Sequence, residues 1–189
     1  MPDNAKIIVE KGARLIVDGG TITSFCDGMW RGIEVHGDPT QAQPALSAIN
    51  AGPVDDFGIV HIKNDALIEN AVEGVYAYSS AAFPQKTFNG GIVIAENSTF
   101  KNCSKAISLW DYPFTNNSYV DDCVFETDGE LADALVANKK KSFIYLIGVK
   151  DVQILNSEFV NKTPNLYDTH DLGTGIYANN ATFMVEGWK

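Results

Sequence analysis

The chain has 189 residues, 45% of them hydrophobic and 20% charged, with a formal net charge of −10. That is ample apolar material for a core, which excludes disorder, and the length fits a single domain over 1–189. Arg14 and Arg31 are the only arginines against 24 acids, a poor supply of phosphate contacts, so nucleic acid is not an expected partner.

The chain begins Met1-Pro2-Asp3-Asn4-Ala5-Lys6, without the apolar stretch of an export signal. No apolar run approaches the roughly 18 residues of a membrane span. Ile7-Ile8-Val9 reads as part of an incomplete first turn of a repeat.

From there a short phrase recurs: a small or polar residue, a variable one, an apolar anchor, and a polar residue two positions later. It is Gly20-Thr21-Ile22-Thr23-Ser24, then Ala66-Leu67-Ile68-Glu69-Asn70, then Ser98-Thr99-Phe100-Lys101-Asn102. Cys123-Val124-Phe125-Glu126-Thr127 and Ser157-Glu158-Phe159-Val160-Asn161 complete the series. Ile22, Ile68, Phe100, Phe125 and Phe159 are therefore expected to pile in one interior column. Ser24, Asn70, Asn102, Thr127 and Asn161 would form a polar ladder at a bend, because Asn tolerates unusual backbone angles and bonds nearby backbone groups.

A second β-rich run precedes each anchor, giving the series Ile16, Ile62, Ile94, Val120, Ile154. A third follows it: Gly32-Ile33-Glu34-Val35, Gly74-Val75-Tyr76-Ala77, Ala106-Ile107-Ser108-Leu109 and Gly175-Ile176-Tyr177-Ala178. Phe143-Ile144-Tyr145-Leu146 is the expected equivalent in the fourth turn. Three short strands per turn, with apolar residues alternating, predict an all-β right-handed parallel β-helix, a solenoid of about five coils. Loop insertions leave from its bends at 38–56, 79–90, 111–118, 128–141 and 162–173, the fourth with a short helix over 130–137. A doubly wound α/β fold would need helices where these connections are short or rich in Gly, Pro and Asn.

These runs resemble the parallel β-helix repeats of the pectate-lyase-like superfamily. The segment from Gly12 to Ser24, followed by Met29-Trp30-Arg31-Gly32-Ile33-Glu34-Val35-His36-Gly37, looks like part of the large secreted and cell-surface proteins of Bacteroidetes-type bacteria. The resemblance implies a secreted or cell-surface location, and a piece of a longer protein. It makes polysaccharide lyases and glycoside hydrolases acting on acidic polysaccharide the enzymatic alternative.

The sequence offers no convincing catalytic set. The hydrolases carry Asn-Thr-Asp, an Asp pair and Gly-His-Gly; Thr127-Asp128-Gly129 is a faint echo, Asp121-Asp122 precedes it in the wrong order, and Gly-His-Gly is missing. Asp55-Asp56 and Asp121-Asp122 are the oxygen donors that calcium would take, and no other cofactor is expected. Cys26, Cys103 and Cys123 are too few and too irregular for a disulfide framework or zinc; they read as small buried residues, with a single bridge left open.

The candidate ligand-binding residues are Tyr76, Tyr177, Trp110 and Tyr112, in or beside the third-strand runs, and the loop cluster Asp168, His170, Asp171. Outward aromatic rings pack against sugars, so a structural or binding module for adhesion or glycan contact is the leading expectation. Core packing competes for Trp30 and Trp110. The open ends of such a solenoid call for end-to-end self-association, a cap or flanking domains of the parent chain.

Overall fold

The computed structural model describes residues 1–25, 28–78, 87–129, 131, 142–162 and 173–187. Strands come in threes along the chain. The first coil is β1 (Lys6–Val9), β2 (Arg14–Asp18) and β3 (Thr21–Ile22). The second is β4 (Gly32–Val35), the helix α1 (Leu46–Ala51), β5 (Ile59–Lys63) and β6 (Ala66–Glu69). The third is β7 (Glu73–Ala77), β8 (Ile92–Glu96) and β9 (Ser98–Lys101), and the fourth is β10 (Lys105–Trp110), β11 (Tyr119–Asp121) and β12 (Val124–Thr127). β13 (Ser142–Ile147), β14 (Val152–Leu155) and β15 (Glu158–Asn161) make the fifth; β16 (Thr174–Asn179) and β17 (Phe183–Glu186) begin a sixth.

Each strand pairs in parallel with its counterpart one coil away, never with its neighbour in sequence. Three sheets result: sheet A runs β1-β4-β7-β10-β13-β16, sheet B runs β2-β5-β8-β11-β14-β17, and sheet C runs β3-β6-β9-β12-β15. This is a parallel β-helix, as the repeat predicts; crossovers between parallel strands are almost always right-handed.

The anchors of sheet C lie opposite one another in the predicted order, Ile22, Ile68, Phe100, Phe125, Phe159. Phe100 and Phe125 stack with centroids 5.2 Å apart. In sheet A the inner column is Ile7, Ile33, Val75, Ile107, Ile144, Ile176, which includes both the short first-coil run and the fourth-turn equivalent expected from sequence.

In sheet B the series Ile16, Ile62, Ile94, Val120, Ile154 does not form one column, being out by one residue at two places. The inner column of the sheet is Val17, Ile62, Ala95, Val120, Ile154, Val185. Ile16 instead points outward and is 51% exposed. Ile94, though buried, lies in the outer column between His61 and Tyr119. The cause is local: Leu15-Ile16-Val17 and Ile92-Val93-Ile94-Ala95 are apolar at successive positions, so the run does not show which face is inward, and a one-residue slip reverses every side chain.

The bends explain the polar residues. Between sheets B and C the chain turns through positive φ at Gly19, Asp65, Asn97, Asp122 and Asn156, and Gly187 does the same after β17. Backbone bonds run from coil to coil there, from Asp65 N to Asn97 O, Asn97 N to Asp121 O and Asp122 N to Leu155 O. Asn and Asp tolerate this conformation better than other residues with a Cβ. The small residue that follows each turn is buried at Ala66, Ser98, Cys123 and Ser157. Ser98 and Ser157 donate to the carbonyls two residues back, each at 2.7 Å.

The expected Asn ladder, one bend further on, forms in part. Asn70 and Asn102 take positive φ, while Thr127 and Asn161 remain in strands. Asn70 donates to Thr23 Oγ1 and Asn102 to Asp128 Oδ1, so these two amides bond to a hydroxyl and a carboxylate and not to each other.

Insertions do leave from bends. That at 36–58 contains α1, a helix not expected from sequence, whose Ile49 is fully buried and whose Ile49 carbonyl accepts from Arg14 Nη1. Gln43 ties three connections together, donating to Gly90 O and accepting from Asn117 N. The expected helix over 130–137 lies outside the described residues, as does Cys26. Cys103 and Cys123 are buried and unbridged.

Candidate functional site

The outer face of sheet A carries the richest chemistry among the described residues. Its positions follow from a break in alternation. Gly74 and Val75 both face the core: a Cβ on Gly74 would meet Phe100 and Ile68, and Val75 pairs with the inner Ile33 and Ile107. Phe143 and Ile144 repeat the pattern, with Phe143 against the rings of Phe125 and Phe159. Residues before these pairs therefore turn outward, giving the column Glu73, Lys105, Ser142, Thr174. Beside it stand Glu34, Tyr76, Ser108, Tyr145, Tyr177, and then Tyr78 and Trp110.

Two carboxylates organise this face. Glu34, buried, accepts from Lys6 Nζ at 2.6 Å, His36 Nε2 at 3.0 Å and Tyr76 OH at 3.0 Å. Glu73 accepts from Tyr78 OH at 2.5 Å and Lys105 Nζ at 3.0 Å. The Lys105 ammonium also lies 4.8 Å from the Tyr145 ring centroid and 5.6 Å from that of Trp110, within cation–π range. Burial, and then the charge of Glu73, push the Tyr78 hydroxyl far above its ordinary pKa. Burial also raises Tyr145.

The rings form a continuous row. Tyr78 stacks on Trp110 at 4.6 Å, Trp110 tilts against Tyr145 at 5.8 Å, and Tyr145 stacks on Tyr177 at 4.8 Å. Stacked rings cover one another's faces, so the row offers a ligand mainly ring edges and polar atoms. Four buried polar atoms in this patch have no hydrogen-bond partner among the described residues: Glu73 Oε2, Ser108 Oγ, Trp110 Nε1 and Ser142 Oγ. Buried polar groups are normally paired, so four together call for an explanation. The other two in the described residues, Arg14 Nε and Thr127 Oγ1, lie elsewhere.

A second network occupies the outer face of sheet B. His61 Nε2 lies 2.6 Å from Glu96 Oε2, Tyr119 OH donates to Glu96 Oε1 at 2.5 Å, and Arg14 Nη2 approaches His61 Nδ1 at 3.4 Å. Arg14 also holds α1 through Ile49 O, so this chain of contacts fastens an insertion to the sheet.

The residues singled out from sequence separate. Tyr76, Trp110 and Tyr177 share the outer face of sheet A; Tyr76 is buried and Tyr177 is 41% exposed. Tyr112 is not in that row. It is buried at a bend, where its hydroxyl accepts from Gln43 N and donates to Gln41 O, each at 2.7 Å, anchoring the 36–58 insertion. Asp168, His170 and Asp171 lie outside the described residues. Trp30 is fully buried, with Nε1 donating to Glu69 O. Glu34, Glu73, Lys105, Ser108 and Ser142 were not singled out; their signal was the polar residue at corresponding third-strand positions, obscured by the doubled inward pair.

Among the described residues no group of three or more His, Cys, Asp or Glu side chains could hold a metal ion. Asp121 accepts from Asn156 Nδ2 at 2.8 Å, and Asp122 forms the turn that follows. No described helix is long and apolar enough to cross a membrane. No family model, curated protein or solved structure matches the chain.

Proposed function

We propose that this chain is a carbohydrate-contacting module of a secreted or cell-surface protein, and that the outer face of sheet A is its contact surface. The observation that carries the reading is the grouping of four unpartnered buried polar atoms beside one row of aromatic rings. A saccharide supplies hydroxyls that both donate and accept, and C–H groups to meet the ring edges of the row and the open Tyr177. The resemblance of the coil phrases to secreted bacterial β-helix proteins supports the location. Fold alone would not, since one fold hosts many functions.

The test is a panel of immobilised oligosaccharides probed with the whole chain, alongside Trp110→Ala and Tyr177→Ala. Binding that either substitution weakens supports the proposal; silence across the panel overturns it.

A second reading, a polysaccharide lyase or hydrolase, is favoured by one observation: Glu34 and His36, Glu73, and Lys105 come from three neighbouring coils and meet on one face. Hydrolysis needs a carboxyl that gives a proton, and a carboxylate opposite it. Here Glu34 already accepts from three donors and Glu73 from two, so both carboxyls are engaged within the face. Tyr78, with its raised pKa, is a poor base near neutrality. Release of reducing or unsaturated ends from neutral or acidic polysaccharide, with or without calcium, would replace the binding module by an enzyme.

A further inference from the structure

We infer that copies of this chain stack head to tail, the first coil of one on the sixth layer of the next, with Ile8 over Tyr177 and Ile16 over Met184. The inference does not depend on the carbohydrate reading. It starts from where exposed apolar side chains lie. Six of the eight large hydrophobics that are exposed among the described residues sit at the two ends of the solenoid: Ile8, Ile16 and Phe25 at one, Tyr177, Phe183 and Met184 at the other. Ile8 is 46% exposed, Ile16 51% and Met184 45%. Between the ends, the outward column of sheet A holds Glu34, Tyr76, Ser108 and Tyr145. That of sheet B holds His61, a buried Ile94, Tyr119 and Gln153. Solubility asks the reverse, since the terminal repeats of a solenoid normally turn a polar face to water.

The two ends fit each other. All strand pairs are parallel, so a further layer of the same kind forms only where unlike ends meet; like ends would bring strands together in opposite directions. Continuing the register by one layer sets Ile7 over Ile176, Ile8 over Tyr177 and Val9 over Ala178 in sheet A. In sheet B it sets Leu15 over Phe183, Ile16 over Met184 and Val17 over Val185. Ile7, Leu15, Ile176 and Val185 are only partly buried, and this layer would close over them. The edge strands β1 and β16 would gain the ladder bonds that an open sheet edge offers to another chain. Among the described residues sheet C stops at β15, so the sixth layer holds only β16 and β17. Residues 1–5 run beneath residues 25–31, through Phe25 N to Met1 O at 2.8 Å, Asn4 N to Met29 O at 3.2 Å and Arg31 N to Ala5 O at 2.7 Å. In the stack they join β16 and β17 of the neighbouring copy in that layer. One pairing opposes the contact: Asp18 falls over Glu186, both exposed at a corner where salt screens them.

The experiment is sedimentation velocity of the whole chain from micromolar to millimolar concentration. The mean sedimentation coefficient of the parent should climb without stopping at a dimer, because contact between unlike ends leaves an end free after every addition. Added salt should raise it further at fixed concentration. Ile16→Lys blocks one end and Met184→Lys the other, both on sheet B and away from the sheet A face. Both side chains point outward and are exposed, so both variants should keep the parent's unfolding midpoint; Ile8→Lys repeats the first block on sheet A. Each variant alone should need about 10-fold or more protein to reach the parent's mean size, since its lysine must lose water at the junction. An equal mixture of Ile16→Lys and Met184→Lys should form dimers through the one unaltered pair of ends, and stop there. A parent that stays monomeric at the top of the range overturns the inference. A parent that stops at a dimer, with one of the two substitutions having no effect, also overturns it, because like ends are then meeting. Association that neither substitution weakens does the same, by placing the contact on another surface.

Discussion

The Phe125 ring lies 4.9 Å from that of Phe159, with their planes 13° apart, one coil above the other. Phe125 is fully buried, with Phe100 beneath it at 5.2 Å, whereas Phe159 nears the end of the column and is only half-buried. Phe125→Ala should therefore cost about 3–5 kcal/mol and Phe159→Ala clearly less, since the cavity penalty follows burial. Urea unfolding of both variants measures this; equal losses would contradict the column.

Cys123 occupies the small-residue position that Ser98 and Ser157 fill on the adjoining coils. Burial pushes its thiol up to about 12, so little thiolate exists at pH 8. The native chain should react with a thiol-specific disulfide reagent at Cys123 only on unfolding. Cys123→Ser should be tolerated within about 1 kcal/mol, because its Sγ already points at Asp121 O as the serine hydroxyls point at their own carbonyls.

Burial alone would raise the Glu96 carboxyl, but hydrogen bonds from Tyr119 and His61 outweigh it and hold the pKa below the ordinary 4.5. A depressed folded-state pKa contributes stability above pH 4.5, and that contribution fades as pH falls through the lower folded value. In Tyr119→Phe the Glu96 midpoint should rise toward 4.5. The stability gap between variant and parent should be present at neutral pH and close in acid. Carbon-detected titration of Glu96 and acid unfolding curves check both.

Tyr112→Phe deletes one hydroxyl that serves both Gln43 N and Gln41 O, leaving a buried backbone amide without its acceptor. A loss of about 1–3 kcal/mol is expected. Hydrogen exchange should accelerate at Gln43 and its neighbours before it does so in the sheets, if the hydroxyl anchors the 36–58 insertion.

Much of this architecture was legible because stacking turns sequence offsets into columns. The anchors of sheet C each have a polar residue on at least one side and recur at one fixed offset from a polar residue, which marks their inward face. In sheet B the series Ile16, Ile62, Ile94, Val120, Ile154 does not follow one column, because the residues adjacent to Ile16 and Ile94 are also apolar and the sequence does not show which of them faces inward. α1 itself was not legible: six residues, Leu46–Ala51, with no side-chain cap and one fully buried residue carry little periodic signal. The candidate site was half visible. Tyr76, Trp110 and Tyr177 stood out as aromatics, but Glu73 and Lys105 follow from the doubled inward residues at Gly74-Val75 and Ala106-Ile107. Strict alternation would have turned Lys105 inward. The hydrogen bonds that spend Tyr112 on an insertion join residues 69 and 71 apart, which no local pattern reveals.

Because every strand bonds only to the coils directly above and below, the three sheets also set how the chain responds to tension. Force drawn along the solenoid axis from a terminal coil loads a few backbone bonds at a time and strips one coil before straining the next. A pull across the coils must break a whole layer at once. A solenoid built this way would extend in steps of one coil, in the manner of a ratchet paying out cord, and would give up the partly exposed layer of β16 and β17 before the Phe100–Phe125 stack came under load.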